Sequence, residues 1–182
     1  MQKRNILRNQ LISAWERTLT VAYPHRLINS ERGLQAHFCA ELLREFGQNS
    51  TRSLFVEPCI TFEDGKKRHP DLVICNRDRI IGVVELKYRP NGRPDPSKDI
   101  ETLFRFAESP ALLSLSNERY RGPTKPKAYP LAPDAILCWA GIYKGAPMPL
   151  LTDKISKLGR SILRLDATTS KSSNPQPTSA DE

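Results

Sequence analysis

Two apolar runs, Leu72-Val73-Ile74-Cys75 and Ile80-Ile81-Gly82-Val83-Val84-Glu85-Leu86-Lys87-Tyr88, are separated only by the polar stretch Asn76-Arg77-Asp78-Arg79. So short a polar link makes antiparallel pairing the economical topology. Strand side chains alternate between faces, so Glu85 and Lys87 share one. Pro70-Asp71 leads into the first run, and the hairpin brings Asp71 towards them. Two anionic oxygen donors beside an ammonium suit a hard divalent cation and phosphodiester hydrolysis. A surface hairpin carrying an ion pair would use the same residues.

At 182 residues the chain is long enough to bury a core without disulfide or metal staples. Residues 1–166 are expected to form one domain. Lys and Arg outnumber Asp and Glu by 28 to 20, a formal charge of +8, which favours a polyanionic partner through counterion release. The four cysteines show no metal-ligand spacing and read as buried, reduced thiols. No secretory signal and no membrane-length apolar run is present, so the expected setting is cytoplasmic, with no membrane partner.

Upstream, Leu7, Leu11, Ala14 and Trp15 predict an amphipathic helix from Asn5 to Tyr23, stopped by Pro24. A second helix is predicted after an Asn29 or Ser30 cap, with Leu34, Phe38, Leu42 and Phe46 on its apolar stripe, ending at Gly47. Helical spacing points Glu31 along that stripe. Either the helix dipole explains an acid in the first turn, or Glu31 is a third active-site carboxylate. Gln35, one turn on, is placed to support the site.

Three strands are predicted, Ser53–Phe62, Arg68–Cys75 and Ile80–Tyr88, forming a meander. A helix follows Asp95-Pro96, its polar face offering Lys98, Asp99, Thr102 and Arg105. Ser114–Pro133 reads as a long loop, where Arg119, Arg121, Lys125 and Lys127 lie among tyrosines. It is either a solvated connection or a nucleic-acid contact, to which Lys98 would add. Asp134–Tyr143 predicts an interior strand and Leu150–Leu165 a closing helix, while the polar segment 167–182 is expected to be disordered.

Glu31, Pro70-Asp71 and Glu85-Leu86-Lys87, in that order, resemble the PD-(D/E)XK nuclease superfamily. The resemblance spans roughly Asn29 to Tyr143. It implies an α/β fold with a restriction-endonuclease-like αβββαβ core, a mixed central sheet flanked by helices, here with an extra N-terminal helix. It further implies Mg²⁺, with Mn²⁺ as substitute, held by Asp71, Glu85, the Leu86 carbonyl and Glu31. Lys87 would orient the attacking water or stabilise charge. The implied activity is hydrolysis of nucleic acid, DNA ahead of RNA. The alternative is a catalytically silent module on the same fold, binding nucleic acid or a partner. Without a recognition module in the sequence, specificity would come from the loops, a homodimer or a larger complex.

Overall fold

The computed structural model describes residues 2–48, 50–108, 112–116, 127–147, 156–157, 162–169 and 176–181. Among them, three α-helices pack on a nine-stranded, mixed, open sheet. Helix α1 (Gln2–Arg17) continues into a π-helical turn, Thr18–Ala22, as the apolar spacing predicts. Helix α2 (Glu31–Phe46) is capped by Ser30, whose Oγ accepts the Gly33 N–H at 3.0 Å. Its C-cap is Gly47, at φ 74°, a conformation most side chains avoid. The Trp15 ring meets Phe38 edge-on at 5.9 Å, locking the two helices together.

The meander forms, with breaks the apolar pattern does not foretell. The run expected as Ser53–Phe62 splits into β1 (Ser53–Val56) and β2 (Cys59–Thr61) at Glu57, where φ is 46°. The next splits into β3 (Lys67–Arg68) and β4 (Leu72–Cys75) across Pro70 and Asp71. Proline lacks the N–H a ladder needs, so the break falls beside Asp71. Strand β5 (Ile80–Arg89) pairs antiparallel with β4, and β4 with β1. Beyond the breaks, β2 pairs with β3 and with β6 (Leu112–Ser116).

Helix α3 (Ser97–Glu108) follows the Asp95 turn as expected, and the chain then enters β7 (Lys127–Lys144). One expectation is corrected here. Ser114–Pro133 is not one long loop: Ser114–Ser116 lie in β6, and Lys127–Pro133 begin β7, which runs antiparallel to β6. That pairing joins residues distant in sequence and overrides the prolines' local preference. Further on, β7 lies between β5 and β8 (Ile162–Thr169), parallel to both.

Ile162–Leu165 are strand, not the end of a closing helix, and most of 150–161 lies outside the described residues. The segment alternates with a period of two: Leu163, Leu165 and Ala167 join the core beneath α1 and α2, and Arg164 and Asp166 face the other way. Residues 176–181 form β9 (Gln176–Asp181), antiparallel to β8, so strands stand where a disordered tail was expected. The polar composition cannot build a core of its own, but the open edge of β8 supplies its backbone with partners.

The sheet therefore has two covered faces. Leu72, Val84, Leu86 and Cys138 face α1 and α2, while Val73, Val83, Leu137 and Trp139 face α3 and the β2–β6 layer. No described helix is long and apolar enough to cross a membrane. Ala167, fully buried in β8, tests this arrangement at the chain's end. Ala167→Asp is expected to destabilise the protein by about 3 kcal/mol or more, because an unpaired carboxylate would enter the core. An unchanged urea midpoint would mean that the segment lies outside the sheet.

Candidate active site

The β4–β5 register assembles the site. Leu72 pairs with Val84, so Asp71, one residue before the ladder, stands opposite Glu85. Asp71 belongs by alternation to the face of Val73, and Glu85 and Lys87 to that of Val83, so all three look towards α3. Asp71 is held from three directions. Its carboxylate accepts the Leu86 N–H at 2.6 Å, and its carbonyl accepts the Glu57 N–H at 2.9 Å and the Gln35 amide at 3.3 Å. Gln35, buried on α2, thus ties the second helix to the site.

Helix α3 lies over this face and adds Asp99, which is 6% exposed. Its carboxylate accepts from the Lys87 ammonium at 3.2 Å and from the Trp139 indole N–H at 3.2 Å. The indole lies over Gly141, where any Cβ would run into the ring. Trp139 is the β7 neighbour of Glu85, and Gly141 that of Lys87. A large and a small residue on β7 thus leave room for an indole that reaches Asp99. Asp99 was legible only as part of a polar helix face, and Trp139 only as a core strand residue. The spacing Asp99, Leu103, Phe106 (i, i+4, i+7), all buried, is the signal that places this acid inward.

Electrostatics mark the cluster as crowded. Burial, with Glu31 nearby and against the Leu86 N–H bond, lifts the Asp71 carboxyl to about 6. Burial, with Asp71 and Asp99 adjacent, pushes Glu85 to about 9. The interaction between the two side chains lowers Asp71 and raises Glu85, as expected of neighbouring acids that cannot both ionise cheaply. Asp99 is raised by burial against the pull of Lys87 and Trp139. Burial works to lower Lys87, but Asp99 and Glu31 outweigh it and hold the ammonium above its ordinary value. Lys87 is therefore a cation here and not a free base.

The other expected residues are distributed differently. Glu31 is exposed at the helix start rather than buried with the stripe of α2, yet its carboxylate turns to β5, accepting the Tyr88 N–H at 3.1 Å, and its charge acts on Asp71, Lys87 and Asp99. A first-turn position turned towards the end of β5 satisfies an orphan strand donor and the helix dipole together. Leu86 puts its side chain in the core on the opposite face while its N–H serves Asp71. Lys98 is exposed on α3. Arg119, Arg121 and Lys125 lie outside the described residues, and Lys127 opens β7, paired through its backbone with Leu115.

Among the described residues, no group of three or more His, Cys, Asp or Glu side chains converges to hold a metal. Asp71 and Glu85 form a pair. That donor set still fits Mg²⁺, which is held through one or two carboxylates and keeps waters and substrate oxygens in its remaining positions. No protein-family model matches this chain, and no curated protein or solved structure matches it.

The raised acids predict how stability follows pH without metal. Between the ordinary value of 4.5 and about 9, native Glu85 keeps a proton the unfolded chain releases, and Asp71 does so between 3.8 and about 6. Stability falls as pH rises through both windows. In EDTA the melting temperature is expected to be higher at pH 5 than at pH 9, and Glu85→Gln should flatten most of that slope. A wild-type profile that rises towards pH 9 would contradict the crowding.

Proposed function

We propose that this chain is a metal-dependent nuclease that hydrolyses DNA phosphodiester bonds, built on a restriction-endonuclease-like core. The observation that carries the reading is the shared face of Asp71, Glu85 and Lys87, with Asp71 set opposite Glu85 by the β4–β5 register. The element order supports it: α2 with Glu31 at its start, the meander β1-β4-β5, helix α3, and β7 parallel to β5 follow the superfamily's αβββαβ order. The net charge of +8 suits a polyanionic substrate.

In this reading Asp71 and Glu85 would hold the metal, each as an oxygen donor. The bound metal would supply Lewis acidity, polarising a phosphoryl oxygen and making a bound water a better nucleophile at neutral pH. Lys87, kept protonated by its acidic neighbours, places positive charge where the phosphorane gathers negative charge. Asp99 and Trp139 fix the direction of that ammonium, and the Gln35, Glu57 and Leu86 hydrogen bonds fix Asp71. Pre-set donors of this kind need no reorganisation during the reaction.

Incubating the chain with plasmid, linear duplex and single-stranded DNA in Mg²⁺, Mn²⁺ or EDTA tests the reading. Metal-dependent cleavage is expected, lowered about 100-fold or more by Asp71→Asn and by Lys87→Ala. Asp99→Asn should cost about 10- to 100-fold, because it loosens the group that acts without removing it. DNA bound but left intact under every metal would instead establish a catalytically silent binding module.

A further inference from the structure

Where β5 ends, two residues past Lys87, the chain builds a cavity of about 820 Å³. One wall is Arg26, Ile28 and Asn29, between α1 and α2, and the other is the loop from Arg89 to Asp95. Both walls are tied down. Tyr88 Oη donates to the Ile28 carbonyl at 3.0 Å, and the Arg26 N–H to the Tyr23 carbonyl at 2.9 Å, with Arg26 at φ 57°. The Pro90 carbonyl accepts from Thr169 Oγ1 at 2.6 Å, the Gly92 carbonyl from the Lys144 N–H at 3.0 Å, and the Gly92 N–H closes on Arg89. A groove held by five hydrogen bonds is formed before any ligand arrives.

Its charge is not balanced. Arg26, Arg89 and Arg93 are exposed along it, and among the described residues none of the three pairs with an acid. The one carboxylate in the lining, Asp95, already accepts from the Ser97 N–H at 2.9 Å and Ser97 Oγ at 2.6 Å. Exposed guanidinium groups along one groove, Arg93's lying against Gly145 at its edge, suit phosphate oxygens. Small-molecule pockets bury a few polar groups among mostly apolar walls; here the cations stand at the rim, an arrangement suited to a polymer running through.

We propose that Arg26, Arg89 and Arg93 form a phosphate track that holds the DNA backbone on one side of the Asp71–Glu85–Lys87 site. The proposal rests on the nuclease reading for its substrate, and sets the path of the strand relative to the site. Asp95, in the groove's lining, lies near enough to Lys87 to feel its charge, so a strand seated in the track passes the ammonium.

Binding of a fluorescein-labelled DNA duplex, measured by anisotropy in EDTA over a range of salt, tests the track without cleavage. Replacing all three arginines by alanine is expected to reduce the slope of log K against log salt by about 2 to 3, at about 0.9 for each phosphate no longer neutralised. Replacement by lysine should restore most of the slope. Arg79→Ala removes a like charge at the other end of β5, about 33 Å along a 10-residue strand, and should leave the slope near wild type. If the triple alanine variant weakens binding no more than Arg79→Ala while the wild type still cuts DNA, the track is overturned and the nuclease reading stands. Wild-type protein that binds no DNA overturns both, and competition by a free deoxynucleotide at the affinity of DNA overturns the track in favour of a small-molecule pocket.

Discussion

The pairing of Leu72 with Val84 is the constraint on which the site depends. A slip of one residue would turn Glu85 and Lys87 into the core under α1 and α2 and take Val84 and Leu86 out of it, so the hydrophobic pattern enforces the register. The same register sets Asp71 across from Glu85 and brings the Leu86 N–H to the Asp71 carboxylate. Chemistry and stability conflict at this point, because two acids and a lysine occupy a face that the rest of the sheet fills with Val, Leu and Trp. Proteins carry such conflicts where function needs them.

Helix α3 manages the conflict. It covers the face with Ile100, Leu103 and Phe106 and places Asp99 over Lys87. A buried ion pair is a weak source of stability, since desolvation offsets much of its attraction; its clearer effect is direction. The ammonium has an acceptor at 3.2 Å, and that acceptor is itself held by an indole N–H. Gly141 is part of the device, for only a residue without a side chain lets the Trp139 ring lie flat along the strand. Lys87 thus owes its orientation to β7 and α3 as much as to its own strand.

Strand β7 is the spine of the molecule. Its first half pairs with β6 and its second with β5 and β8, so it joins both layers of the sheet. Its end also anchors the loop beyond β5, through Lys144 and the Gly92 carbonyl. The rigid scaffold therefore extends past the face that carries Asp71, Glu85 and Lys87 into the loops that edge it.

Periodicity and turn chemistry made much of the chain legible from the sequence alone: α1, α2 and α3, the β4–β5 hairpin, the common face of Glu85 and Lys87, and an interior strand through Cys138. These are local properties, set by side-chain alternation, capping residues and short connections. The breaks at Glu57 and Pro70, the early start of β7 and the strands at 162–169 and 176–181 were settled only in three dimensions. Each depends on which separate segment offers its backbone an edge to pair with. The same holds for the turn of Glu31 towards the end of β5, the Asp99–Lys87–Trp139 contacts and the placing of Arg26, Arg89 and Arg93 along one groove. Sequence determined which groups could do chemistry, while long-range packing decided which of them meet, because no local pattern encodes the distance between two elements joined by a long stretch of chain.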